Sequence, residues 1–505
     1  MVDASSLFPG GLRRLLRQLH AAYEKERKAC LAARRKYLHR LPEPNPAIRR
    51  SAWQVRPLPP QLQQRQVEIT GPAEPKLIIN ALHSGADVFM ADLEDALTPH
   101  WAKQIEAQQA LYQAARGTLS FVSPEGKEYR LDPAYPTLLM ARPRGLHLLE
   151  KHYKIEGQPI AASFLDTATY LYHNAEPLLS RGKGPYLYLP KIESPAEARL
   201  WEAVLSHCEQ YLGLPIGTVR VTVLIETFPA AFQMEEILYE LREHVAGLNA
   251  GRWDYLFSLI KVHQHQRDFV LPEREKLTME VPFLWAYAEE VVRAAHRRGA
   301  LAIGGMSAFI PDRKNPALTE AAFAQVRKDK TREIAQGFDG AWVAHPDLVP
   351  VVKQLFQEGL GGQPNQLPHL PQGDFVPSSL RAFPQVEEEG LSLSGIRRNV
   401  EVALLYLTAW LEGRGAVALF HLMEDTATAE IARSQLWQWL HADPRPRVKE
   451  TGQPLSYLLY EELIAQTRQH YPTVSPQAVR LLQELVYTPH FIPFLTSYAY
   501  RRYLS

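Results

Sequence analysis

The chain reads as an α/β protein, a (β/α)8 TIM barrel followed by an all-helical domain. Three observations predict this: eight short apolar runs recur between residues 67 and 344, amphipathic helical patterns separate them, and a Gly/Pro-rich break precedes a purely helical remainder. Strands covered on both faces lose the alternation of a half-exposed sheet, so near-continuous apolar runs fit a parallel sheet. A doubly wound open sheet is the alternative, but no Gly-rich phosphate-binding turn follows the first run.

With 505 residues the chain is long enough for two or three domains. Lys and Arg number 56 against 55 Asp and Glu, so the net charge of +1 lacks the basic excess of a nucleic-acid binder. Cys30 and Cys208 are too few for a disulfide framework, which suits a reducing compartment and leaves no thiolate metal site. No apolar run reaches bilayer-spanning length. The expectation is a cytoplasmic protein, with neither nucleic acid nor membrane as partner.

The first forty residues carry ten Lys or Arg, with Leu12, Leu15, Leu16 and Leu19 at helical spacing. Asp3, Glu24 and Glu26 argue against a transit peptide, so residues 1–66 are expected to form an N-terminal helical clasp that ends in a Pro- and Gln-rich connector. The predicted strands are 67–70, 88–93, 138–142, 186–190, 219–225, one segment within 245–258, 301–305 and 341–344, placing the barrel at 67–358. FVSPEGKEYRL reads as a hairpin, so a small α/β insertion is expected around 105–137. Ser194-Pro195-Ala196-Glu197 is a capping box with Pro at the first helical position, and Gly299 stops a helix that begins near Phe283. Residues 359–377, with four Gly and four Pro, read as a linker, and helical patterns fill 378–505.

Reacting groups of a barrel sit where loops leave the C-terminal strand ends. Arg144 follows the run LLMA, Glu226 closes VTVLIE, and Asp254 lies among aromatics in GLNAGRWDYLF. If Val245 to Asn249 is the sixth strand, Asp254 joins them; if Tyr255 to Ser258 is the strand, it falls at the wrong end. A carboxylate beside Trp253 and Tyr255 requires a cation. Two carboxylates plus water oxygens suit Mg²⁺, and an Arg nearby would neutralise a developing oxyanion. Singly, each also fits a structural role, Arg144 as a rim ion pair and Glu226 as a helix cap. Asp92, Glu94 and Asp95 form an acidic cluster that fits capping as well as support of the site. His263 and His265 alternate like zinc ligands but lack a third, and Arg313 and Lys314 fit phosphate or solvent equally. Glu424 and Asp425 precede a helix, so Asp425 reads as an N-cap that could also reach over the barrel mouth as a base.

The stretch Arg242 to Phe257, REHVAGLNAGRWDYLF, resembles the signature of malate synthases. LIETFPAAFQMEEILYELREH, HRRGALAIGGMSAFIP, GAWVAHPDL and MEDTATAEIARSQLWQWLH resemble that family's segments in the same order. The resemblance implies a barrel with an α/β insertion and a C-terminal helical plug, condensing glyoxylate with acetyl-CoA and hydrolysing the product to malate and CoA. It implies Glu226 and Asp254 as Mg²⁺ ligands, Arg144 as the arginine that stabilises the enolate, and Asp425 as the base. It also implies backbone N–H groups from Gly251, Arg252, Trp253 and Asp254 as the cradle of the glyoxylate carboxylate, Pro346 beside the CoA adenine, and Val245 to Asn249 as the strand. Ala295 departs from the family's frequent Cys. The alternatives are a malyl-CoA or citryl-CoA lyase of related design, or a non-catalytic CoA-binding scaffold.

Overall fold

The computed structural model describes residues 4–312 and 314–504. Eight strands, Val67–Pro72, Val88–Asp92, Leu138–Arg142, Tyr186–Leu189, Arg220–Ile225, Val245–Ala250, Leu301–Ser307 and Gly340–Val343, close into one barrel in chain order. All neighbours pair in parallel, and the last strand closes on the first with Val67 opposite Ala341. The sixth strand is Val245–Ala250, and Tyr255 to Ser258 belong to the helix Arg252–Val262 that follows it.

Side-chain alternation sorts the strands into two faces. Val88, Met90, Leu138, Met140, Tyr188, Leu224 and Ile303 fill the barrel interior, whereas Phe89, Leu139, Ala141 and Val223 pack outward beneath the helices. The interior also holds a fully buried polar network. Arg65 donates to Glu68 at 2.7 Å, Thr222 at 2.8 Å and the Tyr188 hydroxyl at 2.8 Å, and the Trp342 indole donates to Glu68 at 3.2 Å. A charge inside a barrel is tolerable only when paired in this way.

The N-terminal helix Gly10–Ala33 buries Leu12, Leu15, Leu16 and Leu19 against the helices Ala162–Ser180 and Pro195–Leu212. Its connector follows the barrel, with Val55 N–H donating to Arg298 and Arg56 N–H to Arg242. The helix Trp101–Ala115 and a hairpin of Ser120–Val122 with Glu128–Arg130 occupy the expected insertion, and a second hairpin, Leu149–Ile155 with Gln158–Ala161, follows the third strand. Residues 359–377 are tied down: Asn365 donates to the Gln63 carbonyl at 2.9 Å and Gln366 N–H to Asp339 at 2.5 Å.

Five helices, Leu393–Leu411, Thr426–His441, Tyr457–His470, Pro476–Tyr487 and Leu495–Arg502, enclose a second core around Leu404, Trp410, Leu436, Trp439 and Leu482. Among the described residues, no helix is long and apolar enough to cross a membrane.

His244, ahead of the sixth strand, is buried between Glu202 at 2.7 Å and Glu209 at 2.9 Å. Burial disfavours its charge, but the two carboxylates outweigh that and raise its pKa to about 9. A pKa raised above the unfolded value of about 6.5 stabilises the fold fully below that pH, and the gain is lost as pH rises through about 9. That gain is on the order of 3 kcal/mol. His244→Gln is expected to flatten the fall in urea-unfolding stability between those two pH values, and an unchanged slope would contradict it.

Candidate active site

Two of the predicted residues reach the barrel mouth because of where their elements stop. Ile225 ends the fifth strand, so Glu226 is the first residue beyond it, buried at 1 % exposure, and its carboxylate accepts the Lys191 N–H at 2.7 Å. Asp254 lies in the first turn of the helix Arg252–Val262, whose N-cap is Gly251. A Cβ at Gly251 would stand 2.8 Å from Glu226 Cβ, so only glycine lets the two segments approach this closely.

Asp425 arrives from the helical domain. It caps the helix Thr426–His441, accepting Ala427 N–H at 3.0 Å, so the structural role expected of it is real. A short hairpin, Val417–Leu419 with Leu422–Glu424, carries it to the barrel. Met423 N–H donates to Ala308, Ile310 N–H to His421, and the Thr426 hydroxyl to the Asp95 carbonyl at 2.9 Å.

These residues share one cleft of about 510 Å³, lined by Asp95, Arg142, Glu226, Gly251, Arg252, Trp253, Asp254, Glu424 and Asp425 among others. The expectation for Arg144 is corrected. Its guanidinium is committed to Asp166 and Glu150, at 2.8 Å each, and it lies outside the cleft lining, fastening the 149–161 hairpin to the helix Ala162–Ser180. The arginine in the cleft is Arg142, two residues earlier. Leu138 and Met140 face the barrel interior, and a period of two carries Arg142 to the same face. It binds Asp92 bidentately, Nε at 2.7 Å, and lies 3.5 Å from Asp95.

Lys191, which the sequence reading did not single out, sits at the centre. Its ammonium is 2.6 Å from Asp95, 3.2 Å from Glu94, 3.3 Å from Asp254 and 3.9 Å from Glu226. Asp92, Glu94 and Asp95 are thus buried ion-pair partners, with Asp92 also accepting the N–H groups of Glu94 and Ala96 at 2.8 and 2.6 Å. Burial raises Glu226 to about 8, opposed by Lys191 and reinforced by Asp254; burial likewise raises Asp425 to about 8, reinforced by Asp95 and opposed by Arg142.

A divalent cation fits this donor set. Asp92, Glu94, Asp95, Glu226, Asp254 and Asp425 face two central cations, Arg142 and Lys191, and the buried Asp254 Oδ1 has no hydrogen-bond partner. Among the described residues, no three His, Cys, Asp or Glu side chains form a ready ligand group. Two carboxylates with the remaining positions left to water and substrate oxygens match the habit of Mg²⁺. The first N–H groups of the Arg252–Val262 helix are the natural place for an anion. Gly251 N–H is not among them, since it donates to the Tyr287 hydroxyl at 3.0 Å, which corrects its place in the expected cradle.

Other predicted positions lie elsewhere. Pro346 begins a short 3-10 turn after the eighth strand, outside the cleft lining. His263 packs among Phe228, Phe269 and Phe383, and His265 is exposed and stacks on His39. Lys314 is exposed, and Arg313 lies outside the described residues. A second cavity, about 640 Å³, lies between the N-terminal and C-terminal helices beside Arg34, His147 and Phe494 and holds none of the predicted site residues.

The chain matches the family model "Malate synthase, TIM barrel domain" over residues 138–381 and "Malate synthase, C-terminal" over 391–503. It is 44% identical over 495 residues to the malate synthase of Myxococcus xanthus (strain DK1622), covering 94% of this chain and 90% of that one. Identity is 47% over 463 residues with the malate synthase of Streptomyces clavuligerus, covering 89% and 85%. Malate synthase A of Escherichia coli (strain K12) is 41% identical over 465 residues, covering 90% and 86%. With both matched regions on the described barrel and helices, and with relatives this similar along nearly their whole length, the chain belongs to the malate synthase family.

Proposed function

We propose that the protein condenses glyoxylate with acetyl-CoA and hydrolyses the thioester to malate and CoA, formally an acyl transfer, with Mg²⁺ as cofactor. One observation carries the reading: Asp425, supplied by the helical domain, lines the same cleft as Arg142, Glu226 and Asp254. Glu226 and Asp254 are the residues that would hold the metal, and bound Mg²⁺ supplies Lewis-acid charge that makes an aldehyde carbon electrophilic.

The residues of the chain supply the rest. A thioester methyl proton is only weakly acidic, so a positioned base must remove it while a cation takes up the enolate charge. Asp425 is the base, and burial favours that role by raising its proton affinity. Arg142 faces the enolate oxygen as a fixed positive charge. The N–H groups of Arg252, Trp253 and Asp254 receive the glyoxylate carboxylate at a helix N-terminus, with the Arg252 side chain lining the same space. Pro346 keeps a place beside the CoA adenine on resemblance alone.

Purified protein given glyoxylate and acetyl-CoA should release free thiol and malate with Mg²⁺ present, and none after chelation. Accumulating malyl-CoA would instead support a lyase. Asp425→Asn keeps an acceptor for Ala427 N–H and so its helix cap, but is expected to lose about 10²- to 10⁴-fold in kcat. Near-normal turnover would remove Asp425 from the base role. Arg142→Gln should lower kcat by at least about 10²-fold. Arg144→Gln should cost on the order of 3 kcal/mol or more of stability, with little change in kcat of the folded enzyme. The reverse pattern in kcat and melting would restore Arg144 to the site.

A further inference from the structure

Lys191 has an unusual backbone for its residue type. Its φ is +53°, and among the described residues only three other non-glycine positions, Glu156, Phe420 and His421, have positive φ. The left-handed region costs a side-chain-bearing residue about 1 kcal/mol or more, and such strain persists only where the surroundings over-determine it. The surroundings here are the acidic cleft. In this conformation Lys191 donates into it through two groups, its N–H to Glu226 at 2.7 Å and its ammonium to Glu94, Asp95 and Asp254. The side chain is 5 % exposed, so water cannot screen these charges. The ammonium also lies within 4 Å of both carboxylates assigned to Mg²⁺.

A monovalent charge held there opposes a divalent one, yet without it four buried carboxylates would face one another with Arg142 as their main counter-charge. We propose that Lys191 is the positioning residue of the metal nest: its ammonium substitutes for the divalent cation in the metal-free enzyme and withdraws onto Glu94 and Asp95 when the cation binds. The nest then stays assembled between metal-binding events, and Lys191 weakens the metal affinity so that Mg²⁺ exchanges. This inference rests on the metal reading of Glu226 and Asp254.

The test is calorimetric Mg²⁺ titration, with thermal melting in chelator and in saturating Mg²⁺, for the wild type, Lys191→Met, Lys191→Arg and Asp254→Ala. Lys191→Met should melt lower than wild type in chelator, gain more from Mg²⁺, and bind Mg²⁺ about tenfold tighter or more. Lys191→Arg, which keeps the charge, should stay near wild type in chelator. Lys191→Met folded only with Mg²⁺ also supports the proposal. Wild-type metal affinity and wild-type melting in chelator for Lys191→Met would overturn it, as would a variant unfolded even in saturating Mg²⁺. The metal reading fails separately if the wild type shows no Mg²⁺ binding, or if Asp254→Ala binds Mg²⁺ as tightly as the wild type.

Discussion

Six buried carboxylates gather around two buried cations, Arg142 and Lys191, at the barrel mouth, and the pairing of these charges organises the architecture around it. Asp92 meets Arg142 in a bidentate contact, and further N–H groups complete its hydrogen bonding. Neither Glu226 nor Asp254 has a bidentate guanidinium, and burial outweighs Lys191 and drives both upward.

Each charged group is brought there by a different element. The second strand ends at Asp92 and the third at Arg142; the fourth and fifth stop just short of Lys191 and Glu226; Asp254 opens the helix after the sixth strand. A parallel barrel gathers these ends at one mouth because all its strands point the same way. Asp425 is the exception, since no strand of the barrel carries it. Backbone pairing of residues 308–310 with 421–423, and the hydroxyl of Thr426 on Asp95, join the helical domain to the mouth. Docking the helical domain and bringing Asp425 into the cleft are therefore one structural act.

Far from the mouth, the same economy of paired charge recurs. Arg65 and Glu68 fill the interior of the barrel with Tyr188 and Trp342, and Arg144 locks a hairpin with Glu150 and Asp166. Arg142 and Arg144 differ in sequence by one turn of alternation and in role entirely. One is a charge presented to the cleft; the other is a bolt.

The sequence by itself determined the barrel, because apolar runs and their spacing depend on local pattern; seven strands lie within a few residues of where periodicity puts them, and the sixth, left open by periodicity, lies where the family resemblance puts it. It also exposed Glu226, as the polar residue that ends an apolar run, and through the family signature Asp254 and Asp425. Several things waited for the tertiary structure. In ARPRG the two arginines have the same parity, and choosing between them needed the point where the strand stops, at Arg142, together with the carboxylates of Asp166 and Glu150 that hold Arg144 beyond it. Lys191 gave no signal in PKIES, since its importance lies in four carboxylates from three other segments. Periodicity reports which face a residue takes within its own element; which charges meet is decided by loop paths and domain docking, for which the local pattern carries no record.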